Sequence, residues 1–220
     1  MRFVAMFSLL LAGFAFAADI QLGHINAETI TPEIAGDDVI CSQVFVFGNL
    51  VNGVGFSSPN SWMMADDFTY AEGGYIDFVQ IWAIYASSNA TGFNIQLRAD
   101  GGAGPGSIVS SHTSTAVTHA NTGYTSWGYP LYYTEITVGN IDFIAGTKYW
   151  FAMQTTGGAG AHYWLACNQA WADMSYFSQD NGSSWQSSQA AFGAAYEQFM
   201  ILSGVTSLTR DSWGSIKSLF

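Results

Sequence analysis

Short segments in which apolar and polar residues alternate dominate the chain between residues 43 and 203. The segment 93–98 is the clearest, since phenylalanine, isoleucine and leucine alternate there with asparagine, glutamine and arginine. A period of two predicts a strand with one buried and one solvated face. The predicted strands are 43–48, 67–70, 74–86, 93–98, 107–116, 131–138, 147–156, 161–167 and 197–203.

The segment 74–86 is apolar at almost every position, in contrast to the alternating segments. A regular strand would place Ile76, Phe78, Trp82 and Ile84 on one face, and Tyr75, Val79, Ile81 and Tyr85 on the other. Apolar residues on both faces predict a central strand that is covered on both sides.

The spacing of these segments predicts the fold class. Turn-forming residues separate them, as in the glycine-rich segment 99–106, and no sustained helical period or internal repeat interrupts them. We therefore expect a single all-β domain, an antiparallel, jelly-roll-like sandwich over residues 40–204. An N-terminal arm, 18–39, precedes it, and residues 205–220 form a tail that packs on the domain or serves as a sorting or anchoring signal.

The first 17 residues have the pattern of a secretory signal peptide. Met1-Arg2 is a short positive start, residues 3–16 are mainly apolar, and Ala15-Phe16-Ala17 is a small-x-small cleavage site. The apolar run is too short for a comfortable membrane span, and no later segment reaches the required length of about 20 residues. We expect a secreted protein, extracellular or on a bacterial cell surface, without a transmembrane segment in the mature chain.

Composition narrows the range of partners. Charged residues make up 10% of the chain, five residues are Lys or Arg, and the net charge is −11. Nucleic-acid binding requires clustered cations, so it is excluded. A divalent cation or a neutral polar polymer is a more suitable partner for an acidic chain. Cys41 and Cys167 are expected to form a disulfide in an oxidising compartment; the alternative is a functional thiol.

The segment Ser178-Gln-Asp-Asn-Gly-Ser-Ser-Trp185 fits the pattern S-x-D-x-G-x-x-W. Asp180 is suited to accepting hydrogen bonds from turn amides, Gly182 to a positive φ, and Trp185 to packing over the turn. The segment resembles the Asp box of sialidases and of many secreted β proteins. That resemblance implies a structural hairpin turn formed around Ser178, Asp180, Gly182 and Trp185.

A broader resemblance covers about 160 residues. It includes Asp66-Asp67-Phe68, the long segment 75–85, the loop 100–107, the segment 145–150 and the closing segment 199–204. This order is similar to that in jelly-roll ectodomains of bacterial exported proteins, including those that end in PEP-CTERM sorting tails. The resemblance implies the fold and an exported location. The final residues differ from that group, because they contain no Pro-Glu-Pro and no hydrophobic helix.

Two candidate binding sites follow from the residue types in loops. Aromatic residues in polar segments suit stacking against sugar rings, and they predict a glycan site at Tyr124, Trp127, Tyr129 and Trp171. Loop carboxylates suit calcium, which favours Asp67 and Asp100 as ligands, since strand alternation would shield one residue of the Asp66-Asp67 pair. No organic cofactor is indicated, and a structural calcium ion is the alternative that the sequence leaves open.

Function is therefore ranked among three classes. The first is a non-catalytic surface protein with a structural, adhesive or assembly role, whose partners are other surface proteins, its own copies or polysaccharide. The second is a lectin-like carbohydrate-binding module, either dependent on calcium or independent of it. The third and least favoured is a glycoside hydrolase, because no catalytic residue can be assigned: the two carboxylates that it needs are not marked by any motif.

Overall fold

Strands dominate the structure, a computed structural model that describes residues 38–43, 50–126, 128–168 and 173–206. The strands are β1 Asp38–Gln43, β2 Leu50–Gly55, β3 Met63–Thr69, β4 Gly74–Tyr85, β5 Gly92–Asp100, β6 Pro105–Ser114, β7 Val117–Ser126, β8 Tyr129–Phe143, β9 Lys148–Thr156, β10 His162–Cys167, β11 Tyr176–Ser178, β12 Gln186–Ser187, β13 Glu197–Gln198 and β14 Met200–Thr206. A 3-10 turn spans Ser58–Asn60, and the short helix α1 spans Ser188–Phe192.

The strands form two sheets, and all their named pairings are antiparallel. The six-stranded sheet has the order β12-β11-β3-β9-β5-β6. The eight-stranded sheet surrounds β4, which pairs with β8 on one side and with β14 and β10 on the other; β7, β1, β2 and β13 complete it. Two packed antiparallel sheets confirm the predicted all-β sandwich.

The core between the sheets is rich in large aromatic residues. Phe56, Phe93, Phe151 and Trp164 are fully buried. The ring of Phe56 lies 6.1 Å from that of Phe93 and 5.9 Å from that of Trp164. Burying a side chain of this size contributes about 1.5–3 kcal/mol. The apolar positions of the alternating segments therefore supply the contact between the sheets.

Strand β4 is buried on both faces, but its faces differ from those of a regular strand. The register with β14 passes from Phe78 opposite Ser203 to Ile76 opposite Gly204, which leaves Asp77 as an extra residue in a β-bulge. Because a bulge inserts one residue, it returns Ile76 to the same face as Val79 and Ile81, in the core between the sheets. Trp82 and Ile84 lie on the opposite face. The prediction that grouped Ile76 with Trp82 was therefore wrong.

The polar segment after residue 116 is also a strand, although the sequence indicated mainly loop. β7 pairs with β8 over most of its length, with a register shift between Asn121 and Thr125. Its residues are mostly polar, so hydrophobic alternation does not reveal it. The segment forms a strand because its main chain pairs with that of the neighbouring strand β8.

The predicted disulfide is wrong, because Cys41 and Cys167 do not form a disulfide. Cys41 on β1 packs against the core between the sheets. Cys167 on β10 belongs to the apolar cluster of Trp82 and Ile84, on the other face of the eight-stranded sheet. The two thiols therefore pack in different apolar clusters, on opposite faces of the eight-stranded sheet.

Several predicted segments lie outside the described residues. These are the signal peptide 1–17, the arm up to residue 37 and the tail beyond residue 206. Residues 38 and 39 of the predicted arm belong to β1, which pairs with β14. Within the described part of the chain, no helix has both the length and the apolar character needed to cross a membrane.

Candidate functional site

A polar groove crosses the outer face of the six-stranded sheet, where β6, β5 and β9 lie side by side. The register places Thr113 opposite Asn94 and Asn94 opposite Gln154, so the three side chains form one row. Thr113 Oγ1 donates to Asn94 Oδ1 at 3.1 Å, and Asn94 Nδ2 donates to Gln154 Oε1 at 3.5 Å. Ser111 and Gln96 form a second row beside the first. The alternation that buries Phe93, Ile95 and Leu97 directs these polar side chains outward.

The turn after β11 forms one wall of the groove. Gln154 Nε2 donates to Asn181 Oδ1 at 2.8 Å, which extends the amide row onto the turn. Asn181 and Gly182 both have positive φ, 58° and 83°. A Cβ on Gly182 would approach Met63 Sδ at 3.1 Å and Trp185 Cζ2 at 3.2 Å, so glycine is required by both conformation and space.

Hydrogen bonds hold this turn in shape. Ser178 Oγ accepts from the Gly182 amide at 2.8 Å and donates to Asp180 Oδ1 at 2.7 Å. Ser184 donates to Asp180 through its hydroxyl at 2.6 Å and through its amide at 2.8 Å. These two hydrogen bonds lower the pKa of Asp180 to about 2. Asp180 is thus a charged acceptor inside the turn.

Arg98 and Trp185 lie beside the groove. The guanidinium of Arg98 lies 5.3 Å from the centre of the Trp185 ring, and its Nε donates to the carbonyl of Gly106 at 3.0 Å. Arg98 Nη1 also donates to Gln96 Oε1. The cation therefore fixes the orientation of a groove amide, and the tryptophan supports the cation from the turn.

The groove has the size and chemistry of a site for a neutral polar ligand. Its volume is about 380 Å³, within the usual range of about 300–1,000 Å³ for ligand sites. Amides, hydroxyls and His112 line it, and none of its described lining residues is Asp or Glu. Such a surface offers donors and acceptors in alternation without a carboxylate pair. It is suited to binding hydroxyl groups. Its described lining does not contain the pair of carboxylates that most glycoside hydrolases use.

The aromatic residues predicted to bind glycan do not line this groove. Tyr124 lies on β7 and packs against the apolar outer cluster of the eight-stranded sheet. Tyr129 begins β8 opposite Ser126 and is 37% exposed. Trp127 and Trp171 lie outside the described residues. The described members of the predicted set therefore belong to the other sheet.

A second polar cluster, the acidic cluster, consists of Asp66, Asp67 and Glu197. One carboxylate oxygen from each residue lies within 4.8 Å of the others. All three residues are buried, with 0%, 4% and 2% of their surface exposed. Asp66 and Asp67 come from β3 of the six-stranded sheet, and Glu197 from β13 of the eight-stranded sheet. The cluster therefore connects the two sheets.

Main-chain donors hold Asp66 in place. Asp66 Oδ1 accepts from the Asp67 amide at 2.9 Å, and Asp66 Oδ2 accepts from the Gln198 amide at 2.5 Å. Burial nevertheless raises the pKa of Asp66 well above its ordinary value, and the neighbouring Glu197 raises it further. Two fixed amides do not compensate for loss of water and a nearby carboxylate.

Asp67 has a cationic neighbour. Its Oδ2 lies 3.7 Å from Lys148 Nζ, which also forms an ion pair with Asp173. Burial raises the pKa of Asp67 to about 6, although Lys148 opposes this shift. The thiol of Cys41 is close enough to be affected as well: burial raises its pKa, and the three carboxylates raise it further.

Asp100, the second predicted calcium ligand, lies elsewhere. It is exposed at the end of β5, and its Oδ1 accepts from Trp150 Nε1 at 3.1 Å and from the Gly102 amide at 3.2 Å. The bond from Trp150 is the main cause of the lowered pKa of Asp100. The described acidic cluster joins Asp67 to Asp66 and Glu197, and Asp100 is not part of it.

No family model, curated protein or solved structure matches this chain. The groove and the acidic cluster therefore carry the functional evidence. The sequence did not identify Asn94, Gln96 and Gln154 as a site, although the outward positions of two predicted strands contained them. It also missed Glu197 as a neighbour of Asp66, because no local pattern marks a contact between distant strands.

Proposed function

We propose that this protein is a secreted or cell-surface, non-catalytic module that binds neutral polysaccharide through the groove of the six-stranded sheet. The observation that carries the proposal is the row of amides and hydroxyls formed by Thr113, Asn94, Gln154 and Asn181. Adhesion to an extracellular polymer would then be its role.

The chemistry of the row supports a ligand rich in hydroxyl groups. Each amide presents a donor and an acceptor, and sugar hydroxyls take both roles. The side chains are linked to one another, so their orientation is fixed before a ligand arrives, which reduces the entropy lost on binding. A net charge of −11 disfavours anionic polymers and leaves neutral ones.

The test is affinity electrophoresis and pull-down of residues 18–220 on a panel of soluble and insoluble neutral polysaccharides. The wild type should bind at least one of them saturably. Asn94→Ala and Gln96→Ala should each weaken binding about tenfold or more, the cost of a lost hydrogen bond with an unpaired partner. Circular dichroism and unfolding curves would verify that both variants are folded.

Tyr129→Ala and Trp127→Ala are matched controls, because they test the site predicted from aromatic residues. Binding that survives both changes and is lost in Asn94→Ala supports the groove. Binding that is lost in the aromatic variants and kept in Asn94→Ala contradicts it. If the wild type binds no polysaccharide on the panel, the proposal fails.

An assembly role is the second candidate, and the edge of the six-stranded sheet favours it. β6 is the last strand in the order of that sheet, and it exposes Ile108 by 50% and Val109 by 52%. An edge strand with exposed apolar residues offers its main chain to a further strand. We expect Val109→Lys to reduce self-association, measured by sedimentation velocity over a range of concentrations. Equal association in wild type and variant would exclude this edge.

A further inference from the structure

Three buried carboxylates within 4.8 Å of one another create a charge problem that the surrounding described residues solve only in part. Within the described parts of the chain, Lys148 is the cation within ion-pair distance of this cluster, and it is shared between Asp67 and Asp173. Transferring a carboxylate from water into a protein interior is costly unless a counter-charge is present. Among the described residues, no cation lies within ion-pair distance of Asp66, because the shared lysine lies at the side of Asp67.

A second observation points to a ligand at the same place. Gln43 on β1 is 5% exposed, and its Nε2 donates to the carbonyl oxygen of Asp67 at 3.1 Å. The amide end of Gln43 therefore lies beside the main chain of Asp67, one of the three residues of the acidic cluster. Its other atom, Oε1, is buried without a hydrogen-bond partner among the described residues. Buried amide oxygens normally have a partner, so this one indicates a missing positive group or donor.

A neighbouring glutamine shows the same feature. Gln198 is fully buried, and its main-chain amide donates to Asp66 Oδ2. Its side-chain Nε2 donates to Ser175 Oγ at 3.0 Å, and its Oε1 has no described partner. Two buried amide oxygens without partners thus belong to residues that bond directly to Asp67 and Asp66.

We propose that the acidic cluster is a calcium site, in which carboxylate oxygens of Asp66, Asp67 and Glu197 and the amide oxygen of Gln43 bind one ion between the two sheets. The donor set determines the kind of cation. Calcium takes six to eight oxygen ligands in irregular geometry, and carboxylates can bind it through one or both oxygens. Zinc prefers nitrogen and sulfur, whereas this group of donors contains oxygen alone.

The ion would connect β3 of the six-stranded sheet to β1 and β13 of the eight-stranded sheet. Calcium binding would therefore stabilise the sandwich. This effect does not depend on the groove, because the groove lies on the outer face of the six-stranded sheet. The two proposals can fail separately. Calcium removal should lower stability whether or not the protein binds polysaccharide.

The experiment uses residues 18–220 stripped with a chelator and dialysed into calcium-free buffer. Calcium alone is titrated to about 10 mM, since extracellular calcium modules bind at about 0.1–1 mM. Isothermal titration calorimetry should show one saturable site, and the melting temperature should rise by about 5 °C or more. No saturable heat and no rise in melting temperature over this range would overturn the proposal.

Variants locate the ion. Glu197→Gln and Asp66→Asn should each weaken calcium binding at least tenfold, while Asp142→Asn, at an exposed carboxyl on β8, should leave it unchanged. If the variants of the cluster bind calcium as tightly as the wild type, the ion lies elsewhere and the proposal is wrong. Terbium luminescence of the wild type, with calcium added as a competitor, tests the site without depending on whether any variant folds. Terbium emission that calcium does not displace would also contradict the site.

Discussion

Two polar regions lie between the sheets of this sandwich, and they differ in how their atoms are satisfied. The first, the histidine network, joins Tyr85, His119, Thr134, His162 and Thr155. The second is the acidic cluster. Each region links a strand of one sheet to a strand of the other. In the histidine network every ring nitrogen has a hydrogen-bond partner, whereas buried amide oxygens beside the acidic cluster have none among the described residues.

In the histidine network, each ring nitrogen has a partner. His162 Nε2 faces the carbonyl of Ser88 at 3.1 Å, and His162 Nδ1 lies 2.7 Å from Thr155 Oγ1. A carbonyl only accepts, so Nε2 carries the proton and Nδ1 accepts from the threonine hydroxyl. This is a neutral histidine that links β10 to β9 across the two sheets.

His119 repeats the arrangement. Its Nε2 donates to the carbonyl of Ala90 at 2.9 Å, and its Nδ1 lies 2.9 Å from Thr134 Oγ1. The hydroxyl of Tyr85 completes the chain at 2.8 Å from the same threonine oxygen. Burial lowers the pKa of both histidines, which keeps them neutral. A neutral, fully bonded network requires no ligand. The close carboxylates of the acidic cluster, and the unpartnered amide oxygens of Gln43 and Gln198 beside it, support the proposed one.

The largest expected effect is the loss of one member of the histidine network. His162→Ala would leave Thr155 Oγ1 without its ring partner and the Ser88 carbonyl without its donor, and it would create a cavity beside Tyr85. We expect a loss of about 3 kcal/mol in the free energy of unfolding, measured with urea in calcium-free buffer. His112→Ala, at a partly exposed histidine of the groove, should change it by less than about 0.5 kcal/mol. Similar losses in both variants would contradict a structural role for the network.

Removing a charge from the acidic cluster should raise the free energy of unfolding, whereas removing a histidine from the network lowers it. Glu197→Gln removes one of three close charges, so the calcium-free variant should be more stable than the calcium-free wild type by about 1–2 kcal/mol. Glu72→Gln at an exposed glutamate should have no comparable effect. A destabilised Glu197→Gln in the absence of calcium would show that the carboxylate is satisfied by its own neighbours, as the histidines are.

The pH dependence of stability should separate the two regions. The pKa of Asp67 is raised from 3.8 to about 6 in the folded protein, so its contribution is fully present below pH 3.8 and is lost as the pH rises through about 6. The histidines have lowered pKa values in the folded protein, so their contribution is present above about pH 6.5 and is lost as the pH falls. In calcium-free wild type the two trends oppose each other between pH 4 and 6.

Asp67→Asn removes one of these trends. Its free energy of unfolding should therefore rise more steeply with pH between about 4 and 6 than that of the wild type, in urea titrations at a series of pH values. Parallel curves for Asp67→Asn and wild type would mean that Asp67 does not titrate differently in the folded and unfolded states.

Sequence reasoning reached the fold because local patterns carry it. The alternation in 93–98 predicts β5 and, with the same residues, the outward positions of Asn94 and Gln96. β7 was missed, since Val117–Ser126 is polar and becomes a strand through its pairing with β8. The bulge in β4 was missed as well, because a register shift changes which residues share a face without changing composition.

The sites depended on information that no local pattern holds. The hydrogen bond between the Gln198 amide and Asp66 joins residues 132 positions apart. Asp67 was accessible to sequence reasoning, because two consecutive acids in a strand place one of them inward, but its partner Glu197 was not. The amide row likewise requires the pairing of β6, β5 and β9 before its members become neighbours.

The smallest expected effect concerns Gln43, and it tests the comparison most directly. Gln43→Met has two opposing effects. Removal of the buried Oε1, which has no partner, stabilises the folded protein, whereas loss of the hydrogen bond from Nε2 to the main-chain carbonyl of Asp67 destabilises it. We expect the free energy of unfolding in calcium-free buffer to change by less than about 0.5 kcal/mol. Tyr85→Phe, the matched removal of a satisfied polar group, should cost about 1 kcal/mol. If Gln43→Met costs as much as Tyr85→Phe, the Gln43 amide is satisfied in the calcium-free protein, and the two regions do not differ in the way that their hydrogen bonds indicate.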